Sequence, residues 1–273
     1  MPVITEGPEN KLLLQAMQTL KGCVDATTVT NVDRLKVAIC GDPKTGKSSV
    51  IARTARKPLI HYDFDDRVES IAGLDGVIIK TLFDKNDTTP VAWGQFESDI
   101  GTLEYLKEKN ELPFKSIAVD SITFLRKYAE HQLLKDSTAS RAKYRIGSTE
   151  YLVPKDWDVV TGVQHMLETM FNRLFSLGID VYATFHTRLE KDQNKSTQTV
   201  AVYKDSLTID PPNLKMLLPK FNDQWRTFVE DGKYMVQLKP DWQFNAATVL
   251  KNMGQTEVAD IQQMLAKHNK NGK

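Results

Sequence analysis

Cysteine is nearly missing from this chain: Cys23 and Cys40 are the only two among 273 residues, and Cys40 falls in an apolar run. Two thiols cannot frame a disulfide scaffold, so a reducing compartment, the cytoplasm, is expected. Net charge is almost absent too, with 36 Lys and Arg against 35 Asp and Glu, a formal +1. That excludes a uniformly basic, histone-like surface, and contact with a polyanion must come from local patches. No apolar run approaches the roughly 20 residues that span a bilayer, so no membrane segment is expected. The opening residues MPVITEGPENK lack the basic-then-apolar order of a signal peptide. No internal repeat is present. What remains is ordinary globular composition, 41% hydrophobic and 26% charged, at a length suited to one large α/β domain or one domain with appended elements.

Strand-like and helix-like runs alternate along the chain. Leu13, Met17 and Leu20 have helical spacing, predicting a short amphipathic helix over 10–21 that packs on its own core or docks on a neighbouring subunit. A polar stretch precedes a strand over 35–40 (LKVAIC), and a helix follows over 48–56. Further strands are predicted over 58–64 (PLIHYDF), 77–80 (VIIK), 116–120 (SIAVD) and 179–185, with helices over 95–109, 122–134 and 159–177. Residues 135–157 and 188–199 are polar and read as loops. TFVEDGKYMVQL predicts a hairpin turning at Asp231-Gly232, followed by a strand over 246–250 and a helix over 256–267. Alternation of this kind predicts an α/β fold with a mostly parallel central sheet flanked by helices and a C-terminal β-hairpin. The domain reading is 1–34 as N-terminal helix and linker, 35–251 as core, and 252–273 as C-terminal helix and polar tail.

Between the first strand and its helix lies CGDPKTGKSS, residues 40–49. Gly41, Gly46, Lys47 and Ser48 have the spacing G-x-x-x-x-G-K-S, with Asp42, Pro43, Lys44 and Thr45 between them and Ser49 after. Glycines let backbone N–H groups wrap phosphate oxygens without a Cβ in the way. The lysine reaches the β- and γ-phosphates, the first-turn hydroxyl holds Mg²⁺, and the helix N-terminus adds positive potential. A strand before and a helix after are what this mechanism requires, so residues 41–49 are read as a nucleotide-phosphate loop.

Asp120 ends a hydrophobic strand, where a carboxylate holds Mg²⁺ through water. Ser121 follows it, so the Asp-Glu pair of many AAA+ enzymes is absent. A water-activating carboxylate must then come from elsewhere. Asp63, Asp65 and Asp66 cluster at the end of the second strand and either supply it or cap the next helix. His61, His131, His165 and His268 show no metal spacing, and no Ser/His/Asp arrangement stands out.

The order of these parts resembles the RecA-like ATPase core. VAICGDPKTGKSS resembles its P-loop, YDFDD its second strand with the catalytic carboxylate, and IAVDS its Walker-B strand. VYATFH resembles the next strand, which ends in a residue sensing the γ-phosphate. The resemblance implies Asp65 at the catalytic position, where bacterial RecA has Glu, and His186 at the sensor position, where it has Gln. An Asp is one methylene shorter, which implies slow hydrolysis or a working Asp66. More narrowly, the chain is similar to short phage-encoded RecA-like ATPases associated with single-strand annealing and homologous recombination. DVYATFHTRLEKD and LLPKFNDQW before a hairpin fit that group. The likeness runs over residues 35–251.

The resemblance implies ATP and Mg²⁺ as cofactors, with Lys47, Asp65, Asp120 and His186 catalytic and Ser48 and Asp120 on the metal. It also implies a homo-oligomer, filament or ring, on single-stranded DNA, with a single-strand binding protein as a possible further partner. Lys239 and Lys251 are candidates for a cation given to the neighbour's site. The DNA-facing segments would be 135–157, with Arg141, Lys143 and Arg145 among aromatics, and 187–213, with Arg188, Lys191 and Lys195. Solvated surface is the other reading of such charge runs. The expected function is ATP-dependent single-strand annealing or exchange in phage recombination. A DNA motor or helicase loader is one alternative, and a nucleotide-gated DNA-binding module with little hydrolysis is another.

Overall fold

Lys36–Gly41 (KVAICG) forms β1 at the centre of the molecule, and its side chains alternate between two apolar layers. Val37 and Ile39 join one core cluster, while Ala38 and Cys40 join the other. The computed structural model describes residues 34–85, 89–136, 141–146, 149–154, 157–190, 206–210, 212–241 and 244–269. The helix expected over 10–21 lies outside the described residues.

The chain continues through α1 (Lys47–Thr54), β2 (Leu59–Asp63), β3 (Val77–Thr81), α2 (Ala92–Glu108), β4 (Ser116–Asp120) and α3 (Ile122–Asp136). After a two-stranded ribbon, β5 (Arg141–Ile146) with β6 (Thr149–Pro154), come α4 (Trp157–Ser176) and β7 (Asp180–Glu190). β8 (Ser206–Asp210), a 3-10 segment (Pro212–Lys220), β9 (Asp223–Glu230), β10 (Lys233–Gln237), β11 (Thr256–Val258) and α5 (Ile261–Asn269) complete it. Among the described residues the main sheet has nine strands in the order β11-β10-β9-β1-β7-β4-β2-β3, with β8 pairing β7. The six strands from β9 to β3 run parallel, and β10, β11 and β8 join antiparallel. This is an α/β fold with a mostly parallel central sheet flanked by helices, in which β7 lies between β1 and β4.

β2 and β4 are buried at every position, as strands covered on both faces must be. Trp93, Phe96 and Ile100 of α2, Tyr128 of α3 and Leu167 and Phe171 of α4 cover one face. Val50 and Ile51 of α1 cover the other, together with Ile261 and Met264 of α5. The strands therefore present their carboxyl ends together, and Gly41, Asp63, Asp120 and His186 meet along one edge of the sheet.

Several expected elements differ. Residues 135–157 are not one loop, because β5 and β6 pair from Arg141↔Pro154 to Ile146↔Thr149. In β5 the charged residues alternate with Ala142, Tyr144 and Ile146 at the strand period of two, a signal masked by the polarity of the segment as a whole. The polar segment from 187 also begins as sheet, since β7 runs to Glu190 and β8 returns along it, pairing Glu190↔Ser206 and His186↔Asp210. Helix α2 starts at Ala92, earlier than expected. Asp84 Oδ1 accepts the N–H groups of Val91 and Ala92 at 2.7 and 2.8 Å, a cap from seven residues upstream. The strand expected over 246–250 is only a bridge at Ala247, because Asp223 Oδ1 takes the Thr248 hydroxyl and the Val249 N–H instead. The last helix begins at Ile261, and Thr256–Val258 forms the sheet edge.

Candidate nucleotide site

Gly41 ends β1 and Lys47 opens α1, so the loop between them is the P-loop by position. Its glycines are needed sterically. Gly46 has φ 83°, and a Cβ there would meet the Tyr234 ring at 2.6 Å. A Cβ on Gly41 would lie 2.6 Å from Thr227 Oγ1 and 2.7 Å from Thr45 Oγ1. The β9–β10 hairpin therefore packs directly on the loop. Thr45 Oγ1 donates to the Asp42 carbonyl at 2.8 Å and lies 2.9 Å from Thr227 Oγ1.

Lys47 is buried, and its ammonium donates to the carbonyls of Gly41 and Asp42, both at 2.9 Å. Burial pulls its pKa down, and Asp120 and other nearby acids work against that shift. Asp120 is buried at the end of β4 and receives three donors. Ser48 donates to Oδ2, Thr184 of β7 donates to Oδ1, and His61 Nε2 stands 3.4 Å from Oδ2. Burial alone would raise this carboxyl; the His61, Ser48 and Thr184 contacts outweigh it and hold the pKa down at about 2. Asp120 is thus an ionised acceptor beside the first turn of α1.

The opposite wall grows from β2. Asp63 is buried, and its carboxylate gathers the turn that follows: it accepts the N–H groups of Asp65 at 3.3 Å and Arg67 at 3.4 Å, and the Thr81 hydroxyl at 3.2 Å. Asp65 is pushed up to about 7, first by burial, then by its hydrogen bond with Asp63 and the negative charges of Asp120 and Asp63, with Arg67 opposing. Asp66, the next residue, is exposed at φ 56° and does not line the cavity between the two walls. Between the walls lies a cavity of about 660 Å³, lined by Pro43, Lys44, Lys47, Ser48, Asp65, Arg67, Asp120, His186 and Tyr234 among others. Its size suits a small-molecule ligand.

The AAA domain family matches residues 33–246, most of the chain. The chain belongs to this family. No curated protein matches the sequence. Among solved structures, a KaiC-like protein from the hyperthermophilic archaeon Pyrococcus horikoshii OT3 is similar, at 10% identity and TM-score 0.40, covering 75% of this chain and 78% of that one. In this AAA-domain chain Ser121, not a glutamate, follows Asp120, and Asp65 and Glu69 are the other carboxylates lining the cavity.

The structure gathers Gly46, Lys47, Ser48, Asp65, Asp120 and His186 around one cavity, with Pro43, Lys44 and Ser49. Gly41, Asp42 and Thr45 support the loop from behind. Of the DNA candidates, Arg188 is exposed on β7 and is not among the residues lining the cavity, Arg141, Lys143 and Arg145 occupy alternate positions of β5, and Lys191 and Lys195 lie outside the described residues. Lys239 and Lys251 are exposed and do not line the cavity.

The site also holds side chains given no role in the sequence, among them His61, Arg67, Glu69, Thr184, Thr187 and Tyr234. His61 carried one available signal, lying on the same strand as Asp63 two residues earlier and therefore on the same face. Thr184 lies two residues before His186 in the same way. Tyr234 has no local signal, since only the hairpin's pairing with β9 carries it to Gly46.

Proposed function

We propose that this chain is an ATP-hydrolysing, single-stranded-DNA-binding RecA-like protein that promotes strand annealing or exchange in phage recombination, working in the host cytoplasm as a homo-oligomer. The observation that carries the nucleotide part is the convergence of Lys47, Ser48, Asp65, Asp120 and His186 on one cavity at the carboxyl ends of parallel strands. Lys47 exchanges its two backbone carbonyls for phosphate oxygens, which accept far more strongly. The Tyr234 ring, 48% exposed over Gly46, offers a wall for the base.

Ser48 and Asp120 share a hydrogen bond and offer hydroxyl and carboxylate oxygens, the hard donors that Mg²⁺ takes. Bound there, Mg²⁺ would neutralise charge on the phosphate oxygens. Asp65 orients a water toward the terminal phosphorus. The water oxygen bonds to that phosphorus, the bond to the ADP oxygen breaks, and the Asp65 carboxylate takes the water proton. His186 touches the terminal phosphate. Beyond it β7 and β8 extend from the sheet, a path from nucleotide state to a DNA-facing segment.

A second reading, a nucleotide-gated DNA-binding module with little hydrolysis, is favoured by Asp65 itself. It is a methylene shorter than Glu and half protonated near neutrality. ATP hydrolysis with and without single-stranded DNA, for wild type and Lys47→Ala, tests both. Turnover that rises with DNA and vanishes in the variant supports the first reading. ATP-dependent DNA binding without turnover supports the second, and turnover indifferent to DNA removes the DNA part.

A further inference from the structure

Among the described residues, three Lys and Arg side chains line the nucleotide cavity: Lys44, Lys47 and Arg67. Lys44 and Lys47 belong to the P-loop, and Lys47 is tied to its carbonyls. Arg67 comes from the opposite wall. Its backbone is fixed by the same buried carboxylate that fixes Asp65, since both N–H groups donate to Asp63 Oδ1. Its side chain stays in the open, 67% exposed, with Nε 3.9 Å from Oδ2 of Asp65, whose side chain is only 10% exposed. An ion pair this long, with one partner largely in water, holds the guanidinium lightly. The turn thus places a firmly seated backbone and a lightly held cation beside the water-orienting carboxylate.

Charge gives this cation a task. Asp65, Glu69 and Asp120 all face the cavity. A triphosphate entering beside them brings like charge to a carboxylate that must lie within one water of the terminal phosphorus. A cation between the two removes that repulsion, and a planar guanidinium pairs with two phosphate oxygens at once. Resting on the nucleotide reading above, we propose that Arg67 is the cation that grips the terminal phosphate from within the same chain, turning from Asp65 to the phosphate when ATP binds. On this side the site is then complete without a neighbouring subunit's lysine or arginine. An arginine supplied in this way stabilises charge that builds on the transferring phosphoryl group.

The test compares wild type, Arg67→Ala, Arg67→Lys and Lys47→Ala by binding of ADP and of a non-hydrolysable ATP analogue, by turnover, and by turnover of mixed variants. ADP binding by wild type that is lost in Lys47→Ala establishes the site independently of Arg67; failure there overturns the nucleotide reading and this proposal with it. Given that binding, Arg67→Ala is expected to keep ADP affinity within about twofold, to lose the preference for the analogue over ADP, and to lose roughly 10²-fold in turnover. Arg67→Lys should keep part of both, having the charge without the fork. Mixing Arg67→Ala with Lys47→Ala should restore nothing, because neither chain holds both residues. Unchanged preference and turnover in Arg67→Ala overturn the proposal. So does recovery on mixing, which would mean that Arg67 acts across an interface, and so does an equal loss of ADP and analogue binding.

Discussion

Thr187 donates a hydrogen bond from its hydroxyl to Asp42 Oδ1 at 2.8 Å, tying strand β7 to the P-loop. The same Asp42 accepts the Lys47 ammonium through its carbonyl. Thr187 follows His186 and stands where β7 runs on past the end of β1, paired with β8. Phosphate entry that draws Lys47 off Asp42 therefore acts one bond away from the root of the β7–β8 ribbon. Thr187→Val removes that bond and keeps the shape. It is expected to retain ATP turnover within a few-fold while the ratio of DNA affinities with ATP analogue and ADP falls roughly fivefold, the worth of a ~1 kcal/mol hydrogen bond. Paired DNA-binding titrations measure this, and an unchanged ratio removes Thr187 from the route.

Asp65 sets a pH dependence of opposite sign in two measurements. Its carboxylate form orients water, and its pKa is raised to about 7, so turnover is expected to fall as pH drops through about 7. Stability runs the other way. A carboxyl whose pKa rises from 3.8 to about 7 on folding prefers its protonated form in the folded state. Its ionisation then disfavours folding increasingly between those values and fully above them. Asp65→Asn should therefore abolish turnover yet raise Tm by several degrees near pH 8, with no gain near pH 3. Equal Tm for both proteins at the two pH values would show that Asp65 is ordinary.

The site was legible in the sequence where its signals are local. The P-loop spacing, the apolar strand ending at Asp120 and the strand ending at His186 each sit within a few residues, and periodicity places them at strand ends. The Asp231-Gly232 turn was legible for the same reason and joins β9 to β10. What escaped depends on residues far apart in sequence. Thr184 meets Asp120 only because β7 lies beside β4, and Asp84 caps α2 across an intervening loop. The β5–β6 ribbon escaped for another reason: Arg141, Lys143 and Arg145 alternate with Ala142, Tyr144 and Ile146 at the strand period of two, but the overall polarity of 135–157 outweighed that short signal. Long-range pairing does not write itself into hydrophobic period.

Tyr234 lies across Gly46 and also lines a neighbouring cleft with Val50, Arg53 and Ala259. If the base of the nucleotide stacks on this ring, Tyr234→Ala is expected to raise the KM for ATP about three- to tenfold, matching the ~0.5–1.5 kcal/mol of an aromatic stack, with kcat retained. Inhibition by inorganic tripolyphosphate, which has no base, should not change. A loss of tripolyphosphate inhibition along with ATP affinity would instead show that the ring supports the loop itself.

Arg141, Lys143 and Arg145 alternate along β5, so a strand period of two gives them the same face of the ribbon. Cations spaced in this way can track phosphates of a single strand. Each phosphate neutralised by a cation steepens the dependence of log affinity on log salt by about 0.7 for single-stranded DNA. Replacing all three with Ala should then flatten that slope by about 2 and weaken binding most at low salt, where released counterions matter most. ATP turnover without DNA should stay at the wild-type value, because the three belong to the separate β5–β6 sheet and not to the strands that carry the P-loop, Asp65 and Asp120. Titrations of single-stranded DNA across a salt series decide the matter. A slope identical to wild type would make the ribbon solvated surface and leave DNA contact to the β7–β8 side alone.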